Sequence, residues 1–306
     1  MSTIVSGNAA RLQLEGLGGI FGESYASKEQ VFKKYFELRT SKKAAETLLM
    51  HESTKQALTK TEADSISFDV MGQGASPTWS HTVIGLGLRV SEEALEDDLY
   101  SVLNKGAKML GESIQDKECQ MAADVLNNAF DTGVVMQGGN GLNLCSTAQL
   151  QGPNNTATYS NRLTTDADLS EASLEALMIQ IANAVDSRGK FIRLSSSGLV
   201  IAPANMFNAH RIIKSTLRSG TAENDANAIK DMGLLSGDSI VDNYLTDADA
   251  WFVTTDADDG LIHYTRRAER FMKDMGWESG VEKFKGDKRL SVGWGDPRGI
   301  YGTQGA

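Results

Sequence analysis

Ile84-Gly85-Leu86-Gly87-Leu88-Arg89-Val90-Ser91-Glu92-Glu93-Ala94-Leu95-Glu96-Asp97-Asp98-Leu99-Tyr100 changes its hydrophobic period at Ser91. Up to Val90 the period is two, with Ile84, Leu86, Leu88 and Val90 on one face and Gly85, Gly87 and Arg89 on the other, the pattern of a strand. Ser91 then suits a helix N-cap, and Glu92, Glu93, Glu96, Asp97 and Asp98 fill the first turns, where the helix dipole favours negative charge. Leu95, Leu99, Val102, Leu103, Leu110, Ile114, Met121, Val125 and Leu126 continue at helical spacing until Asp131-Thr132-Gly133 stops the pattern. About 40 residues at about 1.5 Å each predict a rod of about 60 Å. Gly106 and Gly111 lie inside it at about 1 kcal/mol each relative to Ala, so packing must hold this helix in shape.

Upstream, Ile66, Phe68 and Val70 alternate with Ser67 and Asp69, and Gly72-Gln73-Gly74-Ala75-Ser76-Pro77 reads as a turn. With the return run from Thr78 to Val90 this predicts a long hairpin over 61–90. An isolated two-stranded hairpin is marginal in water, so its expected support is another copy of the chain. Residues 1–26 are Gly-rich, including Gly16-Leu17-Gly18-Gly19-Ile20-Phe21-Gly22, and read as an extended arm. Ser27 and Gln30 form a capping-box pattern ahead of Val31, Tyr35 and Leu38, which predicts a short helix ending near Thr40-Ser41.

Downstream, residues 131–255 alternate helix and strand. A capping pattern at 168–171 precedes the helical face Leu174, Leu177, Met178 and Ile181, which Gly189 is expected to end. Leu199 to Ala202 and Ala250 to Val253 read as strands flanking a helix from Pro203 to Leu217. The tail offers strands at 261–265 and 290–294, with a basic segment between them, and a sheet there would pack on the long helix.

At 306 residues, with 41% hydrophobic and 23% charged residues, the chain reads as a globular protein with one large core or two modest ones. No secretion leader and no apolar run of membrane-spanning length is read, so no membrane partner is expected. Cys119 and Cys145 are the only cysteines and are read as reduced and buried. Net charge is −10, distributed as +3 over 1–60, −7 over 61–104, −1 over 105–130, −8 over 131–260 and +3 over 261–306. That balance argues against tight phosphate binding, while basic ends around acidic middles suit subunits meeting head against flank, although charge alone favours reading them as solvated faces. Phosphate loops, nucleophile elbows, HExxH and dinucleotide fingerprints are all absent from the sequence. His51, His81, His210 and His263 are scattered and read as packing or surface residues. Thr-Asp-Ala-Asp occurs at 165–168, 246–249 and 255–258, but its spacing fails the twelve-residue calcium loop, and Asp also serves turns and caps. No catalytic, cofactor-binding or metal-ligating residue is therefore expected.

The order of arm, hairpin, spine helix, mixed α/β segment and returning strands resembles the major capsid proteins of tailed phages, the Hong-Kong-97-type (Johnson) fold. The run from Ile84 to Tyr100 and the ending Val292-Gly293-Trp294-Gly295-Asp296-Pro297-Arg298-Gly299-Ile300-Tyr301-Gly302 carry that resemblance. It implies an α+β fold with an arm over 1–60, an extended loop over 61–90, a peripheral domain of 91–130 plus 256–306, and an axial domain over 131–255. It also implies a non-enzymatic virion subunit, forming pentamers and hexamers of an icosahedral shell around double-stranded DNA without sequence-specific binding, and assembled in the host cytoplasm. Implied partners are further copies, a portal, a decoration protein and a separate scaffolding protein, since the hairpin is reached within about 65 residues of the first one. Some family members crosslink through a loop lysine, but no Lys lies between Lys60 and Lys105, which disfavours isopeptide linkage. An encapsulin-like compartment shell would share the fold. The expected inter-subunit contacts are Asp64, Asp69, Pro77, Trp79 and Arg89 on the hairpin segment, lying over Arg266, Arg267, Arg270, Lys283 and Lys285 of a neighbour. Trp79 either anchors that neighbour or packs within its own subunit.

Overall fold

The computed structural model describes residues 6–91, 100–133, 136–152, 155–217, 226–235, 239–275 and 281–306. Its first sheet has the order β1-β10-β11-β4, formed by β1 (Glu37–Thr40), β10 (Leu261–Met275), β11 (Glu282–Trp294) and β4 (Thr82–Val90). β10 and β11 are an antiparallel pair running from Leu261↔Trp294 to Met275↔Glu282, and β4 adds antiparallel to β11 from Thr82↔Leu290 to Val90↔Glu282. β1 joins the opposite edge parallel to β10. The second sheet has the order β12-β9-β7-β8, from β7 (Ser196–Ile201), β8 (Ser239–Val241), β9 (Trp251–Thr255) and β12 (Ile300–Thr303). Two short ribbons pair β2 (Ala45–Thr47) with β3 (Thr78–Ser80) and β5 (Gln149–Gly152) with β6 (Asn155–Tyr159).

Among the described residues the helices are α1 (Ser6–Tyr25), α2 (Tyr100–Asn127), α3 (Glu171–Ala182), α4 (Met206–Lys214) and the single turn α5 (Ala228–Asp231). The long helix expected after the strand is α2, and its 28 described residues give about 42 Å at about 1.5 Å per residue. The cap at Ser91 and the acidic first turns fall against residues 92–99, outside the described residues. Leu103, Leu110, Ile114, Val125 and Leu126 of α2 lie in one core with Ile84, Phe284 and Leu290 of the first sheet and Val200, Phe252 and Ile300 of the second. Alternate residues Leu199, Ile201, Trp251, Val253 and Tyr301 face the other way, onto α3 and α4 through Leu174, Leu177, Ile181, Ala209 and Ile213. The period of two in each strand thus puts α2 on one side of the second sheet and α3 and α4 on the other.

Several sequence expectations are corrected. Residues 6–25 are helical, not extended. Leu17, Phe21 and Tyr25, spaced by four, are buried, and each buried side chain of this kind contributes about 1.5–3 kcal/mol against about 1 kcal/mol lost per helical glycine. Gly111 explains how α1 docks, since a Cβ there would stand 2.6 Å from the Phe21 carbonyl oxygen. The short helix after Ser27 is only a 3₁₀ turn, Val31–Lys34. The chain then extends as β1 because the edge of β10 offers a ladder, leaving Leu38 exposed while Phe32 and Phe36 are buried. α3 is capped by Ser170 with Ser173 and ends at Ala182, so Gly189 belongs to a later turn. The basic residues of the tail sit inside two long strands rather than between two short ones. Residues 300–303, which the resemblance puts in the peripheral domain with the rest of 256–306, pair with β9 in the second sheet, from Ile300↔Thr254 to Thr303↔Trp251.

Within the Thr-Asp-Ala-Asp runs, Asp166 accepts from Thr303 Oγ1, Asp247 from the Asp249 N–H and Asp256 from the Ser195 N–H, which is turn and loop chemistry. Among the described residues no group of three or more His, Cys, Asp or Glu side chains is placed to hold a metal, and no helix is long and apolar enough to cross a membrane. Cys119 and Cys145 are free thiols, both buried.

Candidate assembly surface

The projecting feature begins at the β2–β3 ribbon and differs from the expected hairpin. Beyond β2, Leu48 N–H donates to Pro77 O at 3.0 Å, Met50 N–H to Ala75 O at 3.2 Å, and Glu52 N–H to Gly72 O at 2.9 Å. The two limbs are therefore 45–52 and 72–80, and the predicted turn at 72–77 is part of the return limb. Ile66, Phe68 and Val70 alternate as strand residues do, yet no partner strand meets them among the described residues. They fall instead in a stretch, 54–71, in which every residue is exposed. β4, the expected far end of the hairpin, has its own support in β11.

The ribbon's root is fixed by Trp79. Its indole is fully buried, packed edge-on to Tyr264 at 5.5 Å between ring centroids and beside Ile262. Gly138, at φ +84°, closes the pocket. A Cβ at Gly138 would reach the indole at 2.8 Å, and one at Gly293 would reach its Nε1 at 2.6 Å. Trp79 and the buried Pro77 thus pack within their own subunit, and they are withdrawn as contacts to a neighbour.

Where the limbs part, a turn at 186–190 grips the loop. Asp186 accepts the N–H groups of Arg188 (2.8 Å) and Lys190 (2.9 Å), with Gly189 at φ +78°. Burial pushes the Asp186 carboxyl up, but these backbone bonds outweigh it and hold it below the usual carboxylate range. The turn presents Ser187 Oγ to the Ser53 N–H (2.8 Å), and Arg188 donates to Ser53 O (3.2 Å) and lies 3.4 Å from the buried Glu52 carboxylate. Sequence reading missed this grip, although Asp186 three residues before Gly189 was a legible turn signal.

The remaining candidates divide. Arg89, Lys283 and Lys285 come together, since Lys283 lies opposite Arg89 and Lys285 opposite Gly87 on adjacent strands, all three exposed. Arg267 and Arg270 are spent on Asp287 within the chain, at 2.9 Å and at 2.6 and 3.0 Å, and Arg266 donates to Lys43 O at 2.9 Å. The Arg270 hydrogen bonds hold the Asp287 carboxyl below its ordinary range. Reversing these arginines would therefore disturb the β10–β11 pair as well as any contact. Asp64 and Asp69 sit on the exposed loop, Asp64 accepting from Thr61 and Asp69 from the Lys55 N–H at 2.7 Å. The loop's charge is modest, two lysines against three acids over 53–71, because five of the eight acids of 61–104 fall at 92–98, outside the described residues.

Beneath the first sheet lies a buried ionic cluster. Lys288 Nζ donates to Glu118 Oε1 and to the Tyr25 hydroxyl, each at 2.6 Å, and Tyr25 donates to Glu118. His263 Nε2 approaches the same carboxylate at 2.9 Å, off the line of a directed hydrogen bond, while its ring stacks on Phe32. Burial raises the Glu118 pKa, but the imidazole of His263 and the ammonium of Lys288 outweigh it and hold it at about 2. Burial and Glu118 together push the Tyr25 hydroxyl up. The signal for this cluster was a carboxylate at a stripe position of α2, four residues after Ile114 and four before Ala122.

A family model described as phage capsid protein matches residues 78–303. The chain belongs to the phage capsid protein family. No curated protein sequence matches it. Among solved structures, the capsid of the cyanophage P-SCSP1u aligns with a TM-score of 0.60 at 9% identity, over 91% of this chain and 89% of that one. A virus-like particle from Pyrococcus furiosus aligns at 0.56 and 11% identity, over 95% and 98%, and the capsid of an empty GTA particle at 0.57 and 12% identity, over 89% and 89%. At such identities the likeness is one of fold, and it agrees with the α+β capsid fold that the sequence resembled. The family makes this chain a structural shell protein and a component of the virion, and the surfaces described above are those of a capsid subunit.

Proposed function

We propose that the chain is the major head subunit of a tailed phage, closing as pentamers and hexamers into an icosahedral shell that encloses double-stranded DNA. The observation that carries this reading is the loop of 54–71, exposed throughout, held by a buried root at Trp79 and bearing Leu58, Ile66, Phe68, Val70 and Met71 in solvent. Contiguous exposed apolar side chains of this kind mark an interaction site. The loop reaches out up to about 30 Å, half of its 18 residues at about 3.3 Å each, which is far enough to meet an adjacent subunit. Assembly in the host cytoplasm with a scaffolding protein, a portal and a decoration protein belongs to the same proposal and rests on family membership. The expressed full chain should give capsomers, tubes or closed shells in negative stain. A particle that stays small and monodisperse at every concentration overturns the reading, and shells loaded with an enzyme rather than nucleic acid would replace it with the compartment alternative.

A further inference from the structure

Asn140-Gly141 is the one Asn-Gly step in the sequence, and Asp259-Gly260 is the one Asp-Gly step. Each can close a five-membered imide ring, because glycine places no side chain over the amide nitrogen that must reach the preceding side-chain carbon. The fold treats the two in opposite ways. Asn140 Oδ1 accepts the Leu142 N–H at 3.1 Å, an Asx turn that draws electron density from Cγ and bends it back over the Gly141 amide. Gly141 is exposed, with φ +86° and open space where a Cβ would stand, and its N–H makes no hydrogen bond among the described residues. Asn140 lines a cleft of about 800 Å³ between the projection root and β5, open to water. Asp259 is instead held by the Arg39 guanidinium, and Gly260 is buried, with a Cβ there standing 2.9 Å from Gly299 Cα.

We propose that Asn140 is a site of spontaneous covalent modification, which converts it through a cyclic imide to aspartate and isoaspartate with release of ammonia. The Gly141 amide gives its proton to hydroxide, its nitrogen bonds to Asn140 Cγ, and the Cγ–Nδ2 bond breaks, the departing nitrogen taking a proton from water to leave as ammonia. Water then adds across one of the two imide bonds. Cleavage at Cγ gives aspartate, and cleavage at the main-chain carbonyl gives isoaspartate, whose backbone runs through the former side chain. The net reaction consumes one water for each ammonia released and needs no oxidant, metal or second protein.

The product does not fit its surroundings. Asn140 Nδ2 donates to Gln149 Oε1 at 3.2 Å, and Gln149, fully buried, commits its own amide nitrogen to Asn143 O at 2.6 Å and Leu144 O at 3.1 Å. A carboxylate at 140 meets that oxygen with another acceptor, and Gln149 cannot turn its amide around without orphaning two carbonyls. The preceding glycines tie the same loop to the projection root, Gly138 N–H donating to Thr78 O at 3.1 Å and Gly139 N–H to Trp294 O at 2.6 Å. Modification at 140 therefore loosens the bed of Trp79 and makes the anchorage of the projection depend on the age of the subunit.

Storage of the purified full chain at neutral and at alkaline pH, followed by digestion and mass spectrometry, tests this chemistry. The peptide carrying Asn140 should be replaced by two products heavier by the difference between an NH2 and an OH group, and faster at the higher pH. The isoaspartate product should accept a methyl group from protein isoaspartate methyltransferase, and the peptide carrying Asp259 should accept none. Asn140 left intact while the urea-unfolded chain is converted overturns the proposal, as does equal methylation at 140 and 259. Two variants read the consequence for the root. Asn140→Gln, whose longer side chain has to close a six-membered ring, should keep its melting temperature on storage, whereas the unmodified chain should lose part of its own. Freshly purified Asn140→Asp should already melt lower than the unmodified chain. Equal melting of the fresh Asn140→Asp variant and the unmodified chain, before and after storage, overturns the loosened root.

Discussion

Trp79 and Phe68 lie eleven residues apart on the same projection, one with no exposed surface and the other 94% exposed. At the root the chain has matched each group to its own subunit. The indole fills a slot that only Gly138 and Gly293 leave open, and the turn at 186–190 gives the loop a fixed point of departure. At the tip the same chain leaves five large apolar side chains in water. Stability and association are thus written into adjacent stretches, and substitutions should separate them. Trp79→Ala is the largest expected loss: removing a fully buried aromatic costs about 3–5 kcal/mol. Urea unfolding of the unassembled subunit checks this, and an unchanged midpoint would move Trp79 back to the interface that the sequence left open.

The ionic cluster sharpens the contrast from the buried side. Lys288→Met leaves Glu118 without its ammonium partner. Breaking a buried pair costs about 3–5 kcal/mol, and the lower end is expected because Tyr25 and His263 still meet the carboxylate. The pH dependence has a definite sign. Glu118 titrates at about 2 in the folded chain against an ordinary value of 4.5, so its contribution is present above about 4.5 and is lost as pH falls toward 2. Unfolding followed from pH 6 to pH 2 should show that loss in the unmodified subunit and much less of it in Lys288→Met, whose Glu118 pKa lies nearer the ordinary value.

What was legible in the sequence follows the same division. Where an apolar pattern coincides with burial, on one face at Leu174, Leu177 and Ile181 or on both faces along Leu199, Val200 and Ile201, the elements appear as expected. The failures were places where a remote partner decided. Residues 6–25 look poor for a helix until Gly111 of α2 lets the backbone of α1 approach, and Glu37–Thr40 becomes a strand only because β10 offers an edge more than two hundred residues away. The charge argument failed in a similar way. Arg267 and Arg270 read as free cations because nothing local shows that Asp287 lies across the ladder. The hairpin was expected over 61–90 with its turn at the glycines of 72–77, whereas the paired limbs are 45–52 and 72–80 and β4 lies in the first sheet. The partner limb, 45–52, carries no alternation that would identify it.

Phe68→Ala should have the smallest effect on the subunit and the clearest on assembly. A substitution at an exposed position changes folding stability by within about 0.5 kcal/mol, so its urea midpoint should overlay that of the unmodified chain. Burial against a neighbour would instead cost that interface the transfer of a phenyl group, about 1.5–3 kcal/mol per contact, repeated at each such contact in a closed shell. Equal subunit stability with a raised critical concentration for assembly is the expected pair of results, read by unfolding and by light scattering. If assembly were as insensitive as folding, the exposed loop would lose its place as a contact, and the shell reading would lose the observation that carries it.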